Sequence, residues 1–81
     1  MVSIRESSRE FRRELGIRFG ETVELYRVDK GLTRTQICQE IETDLGTLSK
    51  YSRGKCCPSL DTAIKLSRYL GFSLDELAEG L

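Results

Sequence analysis

Lys50, Arg53 and Lys55 lie within six positions of one another, and no acid accompanies them anywhere in residues 45–58. Ammonium and guanidinium groups on one short segment can hold phosphate or carboxylate oxygens and can donate hydrogen bonds to other acceptors. Taken alone, three cations are most simply a solvated face; their concentration on one segment without a neighbouring acid favours an anionic polymer as ligand. The other reactive side chains offer less. The chain has no His, which removes the commonest general base and the commonest metal ligand. Gly54-Lys55 lacks the earlier Gly and the following Ser or Thr of a phosphate-binding loop. Cys38, Cys56 and Cys57 are odd in number, at spacings that match neither a zinc site nor a secreted disulfide framework, so free thiols are expected. A bridge from Cys38 to either of the others stays open if the fold brings them together. Carboxylate pairs such as Asp75/Glu76 and Glu40/Glu42 are accounted for by helix capping and solvation. No catalytic constellation and no cofactor site is therefore expected, and the chain is read as non-enzymatic.

These cations must be positioned by a small scaffold. The chain has 81 residues, 13 basic against 13 acidic, and 38% hydrophobic residues, enough for one soluble domain and no second. No apolar run approaches the roughly 18 residues of a membrane span, and the N-terminus lacks a signal-peptide core, so a cytoplasmic protein is expected. Apolar residues recur three and four apart and strand-like alternation is missing, which predicts an all-α domain. Ser7-Ser8-Arg9-Glu10 has capping-box spacing and Gly16 is placed as a stop, predicting a short helix over 8–15. Phe19, Val23 and Tyr26 mark a second over 20–30, ended by Gly31. Thr33-Arg34-Thr35-Gln36 opens a third, to Ile41, with Ile37, Cys38 and Ile41 facing inward. Asp44 can cap a fourth over 45–53, with Leu48 and Tyr51 inward and Gly54 as its stop. Pro58-Ser59 opens a fifth over 60–70, with Leu60, Ala63, Ile64, Leu66 and Leu70 apolar. Ser73-Leu74-Asp75-Glu76 is a further capping box for a last short helix to Ala78.

About three residues separate helix 33–41 from helix 45–53. That is too few for an antiparallel bundle hairpin and suits two short helices crossing steeply, the geometry of a helix-turn-helix. A nine-residue helix is only about 14 Å long, a good length for a major groove about 12 Å wide.

On these residues the chain resembles the Cro and lambda-repressor-like (XRE-type) helix-turn-helix family. The resemblance runs from Phe19 to Leu77. It is carried by Phe19-Gly20, Val23, Tyr26-Arg27 and Lys30-Gly31-Leu32-Thr33, then Ile37-Cys38, Leu48 and Tyr51, Arg53-Gly54-Lys55, Pro58-Ser59-Leu60, Ala63-Ile64, Leu66, Leu70-Gly71 and Ser73 to Leu77. It implies a compact five-helix domain over 19–81; residues 1–18 fall outside it and are read as an N-terminal extension carrying the short helix over 8–15. It also implies a sequence-specific transcriptional regulator, a repressor, that places helix 45–53 in the major groove of double-stranded DNA. Leu45, Gly46, Ser49 and Lys50 would then face base edges, away from Leu48 and Tyr51. Lys50 would donate to guanine, Ser49 would meet a donor or an acceptor, and Leu45 would touch a thymine methyl. Arg34, Arg53 and Lys55, with the loop N–H groups after Gly54, would hold phosphates; Arg27 is either a further phosphate contact or a structural partner.

Two departures bear on that transfer. Glu42 stands where relatives usually have Gly, costing about 1 kcal/mol if its backbone is left-handed. Leu45-Gly46 replaces the usual polar start of the reading helix. A protein-interaction module on the same fold, an antirepressor or adaptor with little DNA affinity, is therefore kept as the alternative. Relatives commonly dimerise on palindromes, so a homodimer is expected, with Leu74, Leu77 and Leu81 as the surface for self-association. Leu25 and Val28 are expected to be covered by Phe11 and Leu15 of a folded-back N-terminal helix, the competing reading being a dimer surface. Arg5, Arg9, Arg12 and Arg13 have acidic neighbours and are read as a solvated face.

Overall fold

The computed structural model describes residues 4–79, with side chains from residue 9 onward apart from that of Ser52. It contains five α-helices and, among the described residues, no strand: α1 (Ile4–Lys30), α2 (Arg34–Ile41), α3 (Leu45–Ser52), α4 (Leu60–Leu70) and α5 (Leu74–Ala78). The core is built from Phe19 and Val23 of α1, Ile37, Cys38 and Ile41 of α2, Leu48 and Tyr51 of α3, Leu66 and Leu70 of α4, Phe72, and Leu77 of α5. Phe19 is its centre: its ring meets Tyr51 edge-on at 5.4 Å and Phe72 at 6.1 Å, arrangements that suit the ring quadrupoles.

The predicted break at Gly16 is absent. Residues 8–15 and 20–30 belong to one helix of 27 residues, and Ser7 lies inside it rather than at its start. Gly16 is buried, and a Cβ there would stand 2.8 Å from the Cys56 carbonyl oxygen. Its lack of a side chain lets the loop after α3 lie directly on α1, at a helix-propensity cost of about 1 kcal/mol. A continuous rod cannot fold back on itself, so the expected cover over the second half of α1 does not exist. Leu25 and Val28 remain 68% and 63% exposed, and Phe11 is exposed as well, while Leu15 packs against the core.

The remaining elements begin and end where their caps predict. Thr33 Oγ1 accepts from the Gln36 N–H and Gln36 returns a bond to the Thr33 N–H, closing the capping box of α2. Asp44 accepts from the Thr47 N–H at 2.7 Å and starts α3. Glu42, with φ 58° and ψ 48°, is left-handed; its N–H and that of Thr43 both donate to the Cys38 carbonyl, so the turn is a C-cap built on a non-glycine residue. The box expected at α5 is only half made. Ser73 accepts from the Asp75 N–H, but Glu76 turns away to accept from the Tyr26 hydroxyl. Arg18 of α1 donates to the carbonyls of Leu77 and Glu79, supplying a cation at the C-terminal end of α5. Leu60 is exposed, since the first turn of α4 projects beyond the core that Leu66 and Leu70 enter.

Candidate nucleic-acid interface

α3 is held from beneath and presents its other side. Leu48 and Tyr51 are buried, three residues apart, and Tyr51 packs on Phe19. Burial pushes the Tyr51 hydroxyl above its ordinary pKa, consistent with a core ring rather than one offered to a base. Gly46, Ser49 and Lys50 are exposed, as are Arg53 and Lys55 just beyond the helix. The three cations therefore form an outward ridge on a fixed base. Leu45 departs from the expected facing. It is 52% exposed and stands a quarter-turn round from the anchors, on the rim of a shallow cavity of about 500 Å³ between α1, α2 and α3 that Ser49 also borders. Gly46 has a further structural use: a Cβ there would come within 3.2 Å of the Asp44 carboxylate that caps the helix. That carboxylate is held below the usual Asp pKa, chiefly by the Thr47 backbone N–H, with a contribution from Lys50.

Of the loop N–H groups after Gly54, that of Lys55 is taken up within the protein. Gly54 N–H donates to the Tyr51 carbonyl and Lys55 N–H to the Lys50 carbonyl, so both close the end of α3 instead of facing a ligand. Gly54 itself is left-handed, φ 71°, which lets the chain turn back sharply onto α1.

Arg27 and Arg34 are joined by a residue that sequence reasoning did not single out. Glu24 accepts from the Nε and Nη2 of Arg27, and from Arg34 Nη2 at 2.8 Å. Arg27 also donates to the Leu32 carbonyl at 2.8 Å, and its side chain is only 20% exposed. The structure thus gives Arg27 the role of structural partner, locking the end of α1 to the start of α2. Arg34 remains largely exposed with one edge of its guanidinium braced. The Glu24 carboxyl lies below its ordinary pKa, first through the Arg27 hydrogen bond and then through Arg34, against the opposing effect of partial burial. The spacing of Glu24 and Arg27 on one helix face was a visible signal; the reach of Glu24 across to Arg34 was not.

Cys38, Cys56 and Cys57 are free thiols. Cys38 is in the core, and the Cys57 thiol donates to the Arg12 carbonyl at 2.8 Å. No group of three or more metal-ligating side chains is found among the described residues, and no helix there is long and apolar enough to cross a membrane.

Short α2, left-handed turn, short α3 and an exposed cationic ridge are the parts of a helix-turn-helix, and a profile of the family described as Helix-turn-helix matches residues 23–77, more than half of the chain. The chain belongs to the XRE-type helix-turn-helix family. That family consists of DNA-binding regulators. Among curated proteins, the chain is similar to the HTH-type transcriptional activator BcrR of Enterococcus faecalis, with 27% identity over 62 residues. The match covers 76% of this chain and about 30% of that protein's length. No solved structure matches. The helix-turn-helix match begins at Val23, so the N-terminal half of α1 lies outside it.

Proposed function

We propose that this chain is a sequence-specific double-stranded-DNA-binding regulator of transcription that inserts α3 into the major groove. The observation that carries the reading is the exposed ridge of Lys50, Arg53 and Lys55, with no acid in residues 45–58, over the buried anchors Leu48 and Tyr51. Lys50 and Ser49 reach base edges, with Gly46 allowing close approach and Leu45 offering an apolar contact at the rim. Arg53, Lys55 and the braced Arg34 hold phosphates.

Selection of bound duplexes from a random library, followed by sequencing, tests this. A preferred site is expected, and binding undetectable at low salt would end the proposal. Lys50→Ala should relax base preference at a cost of about 1–3 kcal/mol, whereas Arg53→Ala should weaken all sequences alike. Equal loss of preference in the two variants would refute that division of roles.

The proposed assembly is a homodimer on a short palindrome, with half-sites about 34 Å apart. Of the leucines expected to form its surface, Leu77 is buried in its own core, Leu74 is half-buried and Leu81 lies outside the described residues. The proposed sense is repression by occupancy, although the curated relative is named an activator; a reporter carrying the selected site over its start of transcription separates the two. One observation favours the second reading, a protein-interaction module: Leu25 and Val28 form an uncovered apolar pair on α1. Capture of a stable protein partner together with no measurable DNA affinity would select it.

A further inference from the structure

We propose that the N-terminal half of α1 and the loop after α3 together form a second clamp on the DNA backbone, in which Arg9, Arg12 and Arg13 continue the line of phosphate contacts begun by Arg53 and Lys55. This rests on the DNA-binding reading above and extends it to a segment outside the family match.

A surface cleft of about 530 Å³ lies where this part of α1 meets the loop, lined by Arg9, Arg12 and Arg13 from the helix and Lys55 from the loop. The three arginines sit at i, i+3 and i+4, hence on one helix face, and all four cations are exposed. No carboxylate lines the cleft, and none of the four forms an ion pair among the described residues. Glu10 and Glu14, which suggested a neutralised, solvated helix, do not line it.

The cleft is also rigidly built. The Cys57 thiol is tied to the Arg12 carbonyl, Gly16 admits the Cys56 carbonyl against the α1 backbone, and a Cβ on Gly54 would stand 3.1 Å from Arg13 Cγ. These contacts fix the arginines relative to α3, because the loop leaves α3 directly. A backbone held by Arg53 and Lys55 would meet the arginines next. Arg9 and Arg13 are about 6 Å apart along the helix axis, far enough for their guanidinium groups to hold separate phosphates of one strand.

The test compares the full chain with its Arg9→Gln/Arg12→Gln/Arg13→Gln variant on the selected operator over a range of salt concentrations. Gln preserves helix propensity on this exposed face. Loss of two to three phosphate contacts should lower the logarithmic salt slope by about 2 to 3 at about 0.9 per contact. Base preference should be unchanged. A hydroxyl-radical footprint of the unmodified protein supplies a readout that no folding defect can mimic: protection should extend about two nucleotides beyond the reach of α3 and be lost in the variant. An unchanged slope with an unextended footprint, in a protein that still selects its operator, overturns the clamp and leaves the regulator reading intact. Failure of the unmodified protein to bind any duplex overturns both.

Discussion

Glu42 offers the sharpest separation of backbone strain from charge, because it carries both at one exposed position. Its φ of 58° and ψ of 48° lie in the left-handed region, which costs an L-residue roughly 1–2 kcal/mol. Glu42→Gly removes that cost and gives back roughly 0.5–1 kcal/mol through the greater freedom of Gly in the unfolded chain. The net expectation is a stabilisation of about 0.5–1 kcal/mol. For a domain of 81 residues that is a rise in Tm of about 2–8 °C. Glu42→Ala keeps the strain and removes the carboxylate, so its Tm should stay within a degree or two of the unmodified protein. Both substitutions delete a negative charge beside the surface proposed to approach phosphate, so both should raise DNA affinity at low ionic strength and lose that gain as salt screens it. Calorimetry and a salt-resolved binding titration on the three proteins check the pattern. A Tm for Glu42→Gly below that of the unmodified protein would show that the turn stores no recoverable strain. An equal rise in both variants would assign the effect to charge and refute the dihedral argument.

Gly16→Ala sets a helix-propensity gain of about 1 kcal/mol against the displacement of a backbone carbonyl that stands 2.8 Å from the new Cβ, an overpacking cost of about 1–3 kcal/mol. Thermal unfolding should show a net loss of about 1 kcal/mol; a rise in Tm would mean that the loop is not seated on α1. Asp44, whose carboxyl lies below its ordinary pKa through the Thr47 N–H, contributes stability that is present above the unfolded value of about 3.9 and is lost as pH falls through the lower native value. Urea unfolding between pH 6 and 2 should therefore show unmodified protein and Asp44→Ala converging at the acid end, and a constant gap across the range would deny the cap its charge.

Local chemistry made most of this fold legible. Thr33-Arg34-Thr35-Gln36 and Asp44 each carry their partner within three residues, so the capping bonds that begin α2 and α3 are written in short segments. The anchors Leu48 and Tyr51 follow from helical period once α3 is placed. What was illegible depends on distant chain. Gly16 looks like a helix stop until Cys56, forty residues on, is seen to occupy the space that its side chain would take. Phe72 sits between a C-cap and an N-cap where no period applies, yet it is buried against Phe19 and Tyr26. At the candidate site the same division holds. The ridge of Lys50, Arg53 and Lys55 was visible as composition, whereas the role of Glu24, the use of the Lys55 N–H inside the loop, and the cleft shared by Lys55 with Arg12 and Arg13 all require three-dimensional neighbours.

The continuity of α1 changes how the extension must work. A helix of 27 residues is about 40 Å long at 1.5 Å per residue, and the longest dimension of the molecule is 40 Å, so this one element spans the protein. Its C-terminal half contributes Phe19 and Val23 beneath α2 and α3, and its N-terminal half carries the arginines beside Lys55. The element beneath the proposed reading helix is therefore also the one that positions the cations proposed to flank it. A flexible basic arm would lose conformational freedom on binding, at roughly 0.5–1.5 kcal/mol for each long side chain immobilised and more for the backbone it orders. A rod pinned at Gly16 and Arg12 has already lost the backbone part during folding. Its electrostatic contribution should thus be offset by the side-chain part alone, and the heat-capacity change on binding should match a rigid interface with no added folding step.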